Sequence, residues 1–427
     1  MIAAYERPIA GERNAARAPS ASLAARAFIT TAFVLALVLA RLVAPDSADT
    51  GSSAIAQLIW AVIYAGAVIG LIAEWARVRA LIARSPLVLA VVVLAILSVM
   101  WSDDPYLTLR RSVGLVGTTA VAYYAVARLT LDEFIDVFAV VAGLVAVVSA
   151  FFIAFLPDAG VMQQEYAGAW RGVFEHKNSF GLFLSACIIV LVISAVRSRG
   201  TRRLIAWSVL AMCAVELLGS QSLTSALVAA LNVVLLGALW YASKGRAQRR
   251  AVAFFAVLGA VAIGLAAWVV TDGFTGGTVL GRDTTLTGRT DIWPSVIDAI
   301  WTRPLFGFGY DVFWSDNGPY LHYLPAAVGW RPYHAHNGYL ELALDVGAAG
   351  VAVAAAAILR GLVAAWRSIP AAFNAARAWP LLALVYFVLL NLTESYIAKY
   401  NNFDWIVFVA AFLYAMSAAS GPAKVRR

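Results

Sequence analysis

The sequence predicts an all-α, polytopic transmembrane helical bundle of about 12 spans, with one long loop outside the cytoplasm that contains short helices. Three observations predict it. Of the 427 residues, 62% are hydrophobic and 13% charged, against roughly 25% charged in an ordinary soluble domain. The mean hydropathy is +0.80. Twelve stretches approach the ~20 apolar residues that cross a bilayer as one helix. This composition excludes a water-soluble enzyme, a disordered chain, a disulfide-stapled secreted domain and a nucleic-acid-binding module.

The stretches follow in order at 27–44, 54–75, 86–101, 112–127, 134–157, 180–196, 204–219, 222–243, 251–271, 339–359, 378–393 and 403–420. Basic residues in short loops mark the cytoplasmic side. With the N-terminus inside, 21 of the 32 basic residues fall in cytoplasmic segments, among them Arg7, Arg13, Arg17, Arg77, Arg84, Arg197, Arg203, Lys244 and Arg427. The outside loop Pro45–Ser53 has none. The bias implies an even number of spans with both termini cytoplasmic, and it accounts for most of the net charge of +8. Residues 1–26 form a cytoplasmic tail that is not a cleaved signal, and 27–271 hold spans one to nine. Residues 272–338 form the large outside loop, 339–420 hold spans ten to twelve, and 421–427 are a cytoplasmic tail. Cys187 and Cys213 fall within spans, as small packing residues.

All four histidines, His176, His322, His334 and His336, fall in outside loops. Three segments there carry chemistry. In Arg171-Gly-Val-Phe-Glu-His-Lys-Asn178, the side chains of Arg171, His176 and Lys177 precede a helix whose start is marked by Asn178 and Ser179. Cations beside a helix N-terminus form an anion site, or a basic loop resting on lipid headgroups. In Thr287-Gly-Arg-Thr-Asp-Ile-Trp293, Arg289 repeats that arrangement at a helix running to Trp301, with Pro294 in its first turn. The same helix can lie on the membrane surface, anchored by Trp293 and Trp301. The third segment, Tyr333-His-Ala-His-Asn-Gly338, opens span ten. There Asn337, Glu341 and Asp345 recur at i, i+4 and i+8 as one polar stripe. Carboxylates at that depth need partners, so the stripe reads as satisfying neighbouring polar groups, whereas His336 reads as a general base. A metal site from His322, His334 and His336 lacks supporting Cys or HExxH spacing, and none is expected. Trp101-Ser-Asp-Asp-Pro105, followed by Arg110 and Arg111, adds positive charge outside. Ser220, Ser222, Thr224 and Ser225 read as capping and packing residues, and the polar run Asn391–Asn402 has no assigned role.

On these pieces the sequence resembles the O-antigen ligase/polymerase superfamily, and within it exopolysaccharide production proteins of the polymerase kind. The matching motifs are Trp101-Ser-Asp-Asp-Pro105, Arg171-Gly-x-Phe-x-His-Lys-Asn178, Gly288-Arg-Thr-Asp-Ile-Trp293 with Pro304-Leu-x-Gly-x-Gly309, and His334-x-His-Asn337. They stand in the family's order from about residue 95 to 405. The resemblance implies a bacterial inner-membrane glycosyltransferase that needs no metal or other cofactor. It would move a glycan from undecaprenyl diphosphate to an acceptor sugar hydroxyl on the periplasmic face. Arg171 and Arg289 would hold the diphosphate and His336 would assist the acceptor. Arg110, Arg111, His176, Lys177, Asn178, His334, Asn337 and Glu341 would contribute to substrate binding. The implied partners are the lipid-linked glycan, an acceptor glycan or lipid-linked sugar, the bilayer and other polysaccharide export proteins, with no nucleic acid. Cys187 and Leu305 stand where some polymerases carry a glycine, which leaves polymerisation and ligation both open. The alternatives are a multi-span solute transporter and a non-catalytic component of a polysaccharide assembly complex.

Overall fold

The computed structural model describes residues 21–43, 53–163, 166–243, 278–279, 282–283, 289–324, 332–370 and 373–419. The expected ninth span, 251–271, the first twenty residues of the expected 1–26 tail and the expected tail at 421–427 lie outside the described residues, while residues 23–26 of the first tail belong to the first helix. Helices cover each of the other eleven apolar stretches. They are α1 (Leu23–Val43), α2 (Ala54–Ala73), α3 (Trp75–Arg84), α4 (Pro86–Leu97), α5 (Pro105–Arg128), α6 (Leu131–Phe155), the one-turn α7 (Pro157–Gly160), α8 (Lys177–Arg197), α9 (Gly200–Gly219) and α10 (Leu223–Ser243). After a two-residue antiparallel ladder of Thr278–Val279 with Arg282–Asp283 come α11 (Arg289–Thr302), α12 (Tyr320–Tyr323), α13 (Gly338–Arg367), α14 (Ala375–Leu390) and α15 (Phe403–Ala419). Five of these, α2, α6, α8, α10 and α13, are long and apolar enough to cross a membrane, or six counting α3 with α4, which meet at 88°.

Helix α2 shows the bilayer as solvent. It buries Ala56, Trp60, Ile63 and Ala67 along one stripe and exposes Leu58, Val62, Ile69 and Ile72 on the other face. A soluble helix places polar residues on that face. Close packing inside the bundle relies on small residues opposite aromatic rings, the usual device where lipid removes the hydrophobic drive between helices. A Cβ on Gly117, for example, would meet the Tyr64 ring at 2.3 Å. Helices α8 and α15 run through the centre and are buried nearly throughout. This is a multi-pass membrane protein.

Helix starts differ from the apolar boundaries because caps, not hydropathy, set them. Helix α5 begins at Pro105 rather than 112, because Asp104 accepts from Leu107 N and proline suits the first turn. Helix α6 begins at 131 on a reciprocal capping box of Thr130 and Glu133. Helix α11 begins at Arg289, which moves Pro294 out of the first turn and into the helix.

Charged residues from several connecting segments meet at one end of the bundle. At the end expected to be cytoplasmic, Arg26 pairs with Glu133 at 2.5 Å, Arg197 with Asp132 at 2.9 Å, and Arg128 with Glu74. At the opposite end the motif-bearing loops gather.

Candidate functional site where the sequence motifs meet

Helix α13 breaks at Val346 and Gly347, where φ/ψ leave the helical region and Gly347 takes φ 65°. Backbone groups freed within an apolar bundle need partners. The Pro304–Gly309 turn supplies them. Ala348 N donates to Pro304 O at 2.8 Å and Ala349 N to Leu305 O at 3.2 Å. In return Phe308 N donates to Leu344 O at 2.8 Å and Gly309 N to Asp345 O at 3.0 Å. Gly307, at φ 65°, is the residue this approach requires, since a Cβ there would lie 2.3 Å from Leu344 O. The Trp101–Pro105 motif closes over the same turn. Trp101 Nε1 donates to Phe306 O at 2.8 Å, Asp103 N donates to Phe308 O at 3.2 Å, and Asp103 pairs with Arg303 at 2.9 Å.

Beyond the turn, Asp311 sits between two cations. Lys399 Nζ lies 2.7 Å from its Oδ1 and Arg111 Nε 3.6 Å from its Oδ2. Arg111 also donates to the Asp311 carbonyl oxygen. Asp311 N in turn donates to Asp345 Oδ1 at 2.8 Å. Burial alone would lower the Lys399 pKa, yet the Asp311 carboxylate raises it above the ordinary 10.5. Burial, and then the neighbouring carboxylates Asp311 and Asp345, hold the Tyr310 phenol well above its usual range; its hydroxyl donates to Ala398 O. Arg111 is thus bound up in the protein's own ion network. Arg110, the residue before it, is half-buried.

The histidine segment is fixed by the peptide groups of Ala335. Its N–H donates to Glu341 Oε2 at 2.6 Å, and its carbonyl accepts from Trp293 Nε1 at 2.9 Å. Glu341 Oε2 also accepts from Trp314 Nε1 at 3.2 Å. The stripe carboxylates therefore satisfy loop groups: Glu341 holds the His-Ala-His segment and Asp345 holds Asp311. Trp293, expected as a membrane anchor, ties α11 to this segment, while Trp301 is 73% exposed. Of Arg289 only the backbone is described, at the first position of α11; its side chain lies outside the described residues.

His334 and His336 flank Ala335 with ring centroids 4.0 Å apart. His336 takes φ 50°, a left-handed conformation costing a non-glycine residue roughly 1–3 kcal/mol. It brings His336 N onto His334 Nδ1 at 3.1 Å. Both rings face Glu394, with His336 Nδ1 at 3.7 Å and His334 Nε2 at 4.0 Å from Oε2. The ligand atoms of these three residues lie within 4.8 Å of one another, a spacing open to a metal ion. The donor set fits one poorly. His334 Nδ1 already accepts a backbone N–H, which leaves the ring proton on Nε2, the atom that would face the ion. His322 stands apart on α12, exposed. Asn337 caps α13, its Oδ1 accepting from Tyr339 N at 3.0 Å and Leu340 N at 3.1 Å.

Glu394 belongs to the polar Asn391–Asn402 run, whose role the sequence left open. Asn391 builds this loop. Its Oδ1 accepts from Tyr396 N at 2.8 Å and Ile397 N at 3.0 Å, and its carbonyl accepts from Gly338 N at 2.8 Å. The loop carries Glu394 and Thr393 to a small pocket that Asn178, Leu182, Ser222, Thr224 and Ser225 also line. Ser222 and Ser225, read as capping and packing residues, are buried beside the N-termini of α8 and α10, where their hydroxyls bond each other at 2.7 Å. Burial, then the Glu394 carboxylate, raises the Tyr396 pKa, so this residue beside the pocket stays a neutral phenol.

The Arg171–Asn178 segment reaches this pocket through Asn178. Helix α8 starts at Lys177, with His176 as its cap: His176 Nδ1 accepts from Asn178 N at 3.2 Å, the part expected of Asn178. Lys177 Nζ lies 3.3 Å from Asn178 Oδ1 and 4.4 Å from the Tyr166 ring centre. Arg171 donates from Nε to Ala159 O at 2.9 Å and from Nη2 to Asp158 O at 3.0 Å. Its guanidinium ties the loop to the end of α7.

The fold and this loop cluster define a polytopic membrane protein whose polar residues converge at one end of the bundle. Residues 208–355 match the family model described as O-Antigen ligase. The chain is also 28% identical, over 279 residues, to the exopolysaccharide production protein ExoQ of Rhizobium meliloti (strain 1021). That match covers 62% of this chain and 61% of the relative, so the chain spans about three-fifths of the curated protein it matches. Both matches support the O-antigen ligase/polymerase-like family for this chain, the family its ordered motifs resemble.

Proposed function

We propose that this protein is an inner-membrane glycosyltransferase that moves a glycan from undecaprenyl diphosphate to an acceptor sugar hydroxyl on the periplasmic face. In that reading both termini and the basic loops of the Arg26–Glu133 end are cytoplasmic, about twelve spans cross the bilayer, and 272–338 is periplasmic. The acceptor hydroxyl attacks the anomeric carbon of the donor sugar and its proton passes to His336. The carbon–oxygen bond to phosphate breaks, and the diphosphate leaves with the electron pair. Arg289 and Arg171 engage the phosphates, offsetting charge as it develops. A phosphate oxygen reaching Arg171 replaces one of its carbonyl partners. His176, Lys177 and Asn178 line the approach. His334, Asn337 and Glu341 hold the catalytic segment, and Arg111 holds the loop beneath it, beside Arg110.

One observation carries the reading. The Ala335 peptide, clamped between Glu341 and Trp293, sets His336 against the carboxylate that lines the hydroxyl-rich pocket. The test is product-size analysis of purified protein with a lipid-linked repeat unit. Polymer or a single transferred glycan is expected from the wild type, with a loss of at least about 100-fold in His336→Ala. Normal product from His336→Ala refutes the assignment, and solute uptake into proteoliposomes without glycan transfer refutes the enzyme.

A further inference from the structure

Two imidazoles turned toward a single buried carboxylate oxygen form an arrangement that neither the motifs nor the comparisons assign. We propose that Glu394 is a positioning residue that holds His336 with its ring proton on Nδ1, so that Nε2 is the atom that takes the acceptor's proton; this rests on the reading of His336 above.

The placement of the ring nitrogens carries the argument. An ionised carboxylate only accepts, so the ring nitrogen turned toward it bears the hydrogen. For His336 that nitrogen is Nδ1, 3.7 Å from Glu394 Oε2. This separation is longer than a hydrogen bond, as such contacts often are before substrate binds. For His334 the proton is set independently. Its Nδ1 accepts the His336 backbone N–H, so Nε2 carries the hydrogen and faces the same oxygen at 4.0 Å. His334 therefore turns a second N–H toward the carboxylate and is not a competing base.

Glu394 is 6% exposed, and a carboxylate taken out of water is stabilised by donors placed around it. Its own position is not free to drift. Its N–H donates to Leu390 O at 2.9 Å, and Asn391 holds the residues that follow. The His336 backbone is fixed in turn, by its left-handed conformation and by the Asn337 cap next to it. When His336 takes up a proton, the resulting imidazolium faces a fixed negative charge. Removing that charge raises the barrier and leaves acceptor binding intact.

The chain has four histidines, so protein labelled with 15N-histidine in detergent gives four imidazole patterns, and His336→Gln identifies one of them. The wild type is expected to show His336 in the Nδ1–H form and His334 in the Nε2–H form. Glu394→Ala is expected to convert His336 to a tautomer mixture. Glu394→Gln is expected to lower transfer on the order of 100-fold with the acceptor KM within about twofold, and Glu394→Asp to recover part of it. An Nε2–H form of His336 in the wild type overturns the proposal even where a variant fails to fold. So does a histidine pattern that changes on chelator treatment, which would mark a metal centre. Full transfer by His336→Ala would instead overturn the reading of His336 as the base and leave the tautomer result standing.

Discussion

Replacing Glu341 by alanine should release the histidine segment while leaving the rest of the bundle folded. The Glu341 carboxylate receives two buried donors, Ala335 N at 2.6 Å and Trp314 Nε1 at 3.2 Å. Ala335 is fully buried and Trp314 is 7% exposed, so water does not replace the lost acceptor in the folded state. A buried donor left without a partner costs about 1–3 kcal/mol. The two together cost about 2–6 kcal/mol. The segment can relieve that cost by opening locally, so the penalty appears as lost protection of this segment and not as global unfolding. At about 1.4 kcal/mol per factor of ten, amide exchange across 333–337 should quicken by at least about 30-fold. Glutamine at 341 retains an acceptor oxygen in the same place, and its effect should stay under about tenfold. The assay is hydrogen exchange read by mass spectrometry on the detergent-solubilised protein, with peptides from α8 as the internal control. Exchange in Glu341→Ala within threefold of wild type refutes the reasoning. A change in substrate affinity with no change in exchange would return Glu341 to the role of substrate ligand.

Asp311→Ala strands Arg111, whose side chain is 10% exposed, and should lower stability by about 3–5 kcal/mol. Arg111→Leu in the same chain should restore part of that loss, read by thermal unfolding in detergent. The Lys399 pKa is raised, so its pairing with Asp311 contributes fully below the ordinary 10.5 and is lost only as pH rises through the higher folded value. Thermal midpoints of wild type and Lys399→Met should therefore keep a constant difference from about pH 7 to pH 9.5. Gly307→Ala puts a Cβ 2.3 Å from Leu344 O at a left-handed φ. It should cost about 1–2 kcal/mol for the backbone conformation alone, and more as the turn leaves the α13 break. Unchanged unfolding in this variant would show that the turn does not dock there.

The route from sequence to site was uneven, and particular residues show why. Hydropathy is a local property, so the apolar stretches predicted where helices lie, while Asp104, Thr130 and His176 decided where they start. The polar stripe Asn337, Glu341 and Asp345 was legible because helical spacing puts those positions on one face. Its partners were not, because Trp314, Asp311 and Ala335 reach it through a loop fold that no spacing encodes. Arg111 and Arg171 read as free cations in the sequence, whereas in the structure the first is paired with Asp311 and the second bonds backbone carbonyls. Charge type is written in the chain, but the identity of a counter-ion depends on which loop returns to meet it.

The sequence by itself determined a helical membrane protein and the ordered motifs that resemble the O-antigen ligase/polymerase superfamily. These follow from single-residue transfer energies and from the helical repeat, which need no knowledge of neighbours. Only the tertiary structure decided that Pro304–Gly309 fills the break in α13, that Ala335 is clamped from two sides, and that Glu394 joins His334 and His336. Each of those depends on directional polar contacts between segments far apart in the chain, whose geometry exists only once the helices are packed.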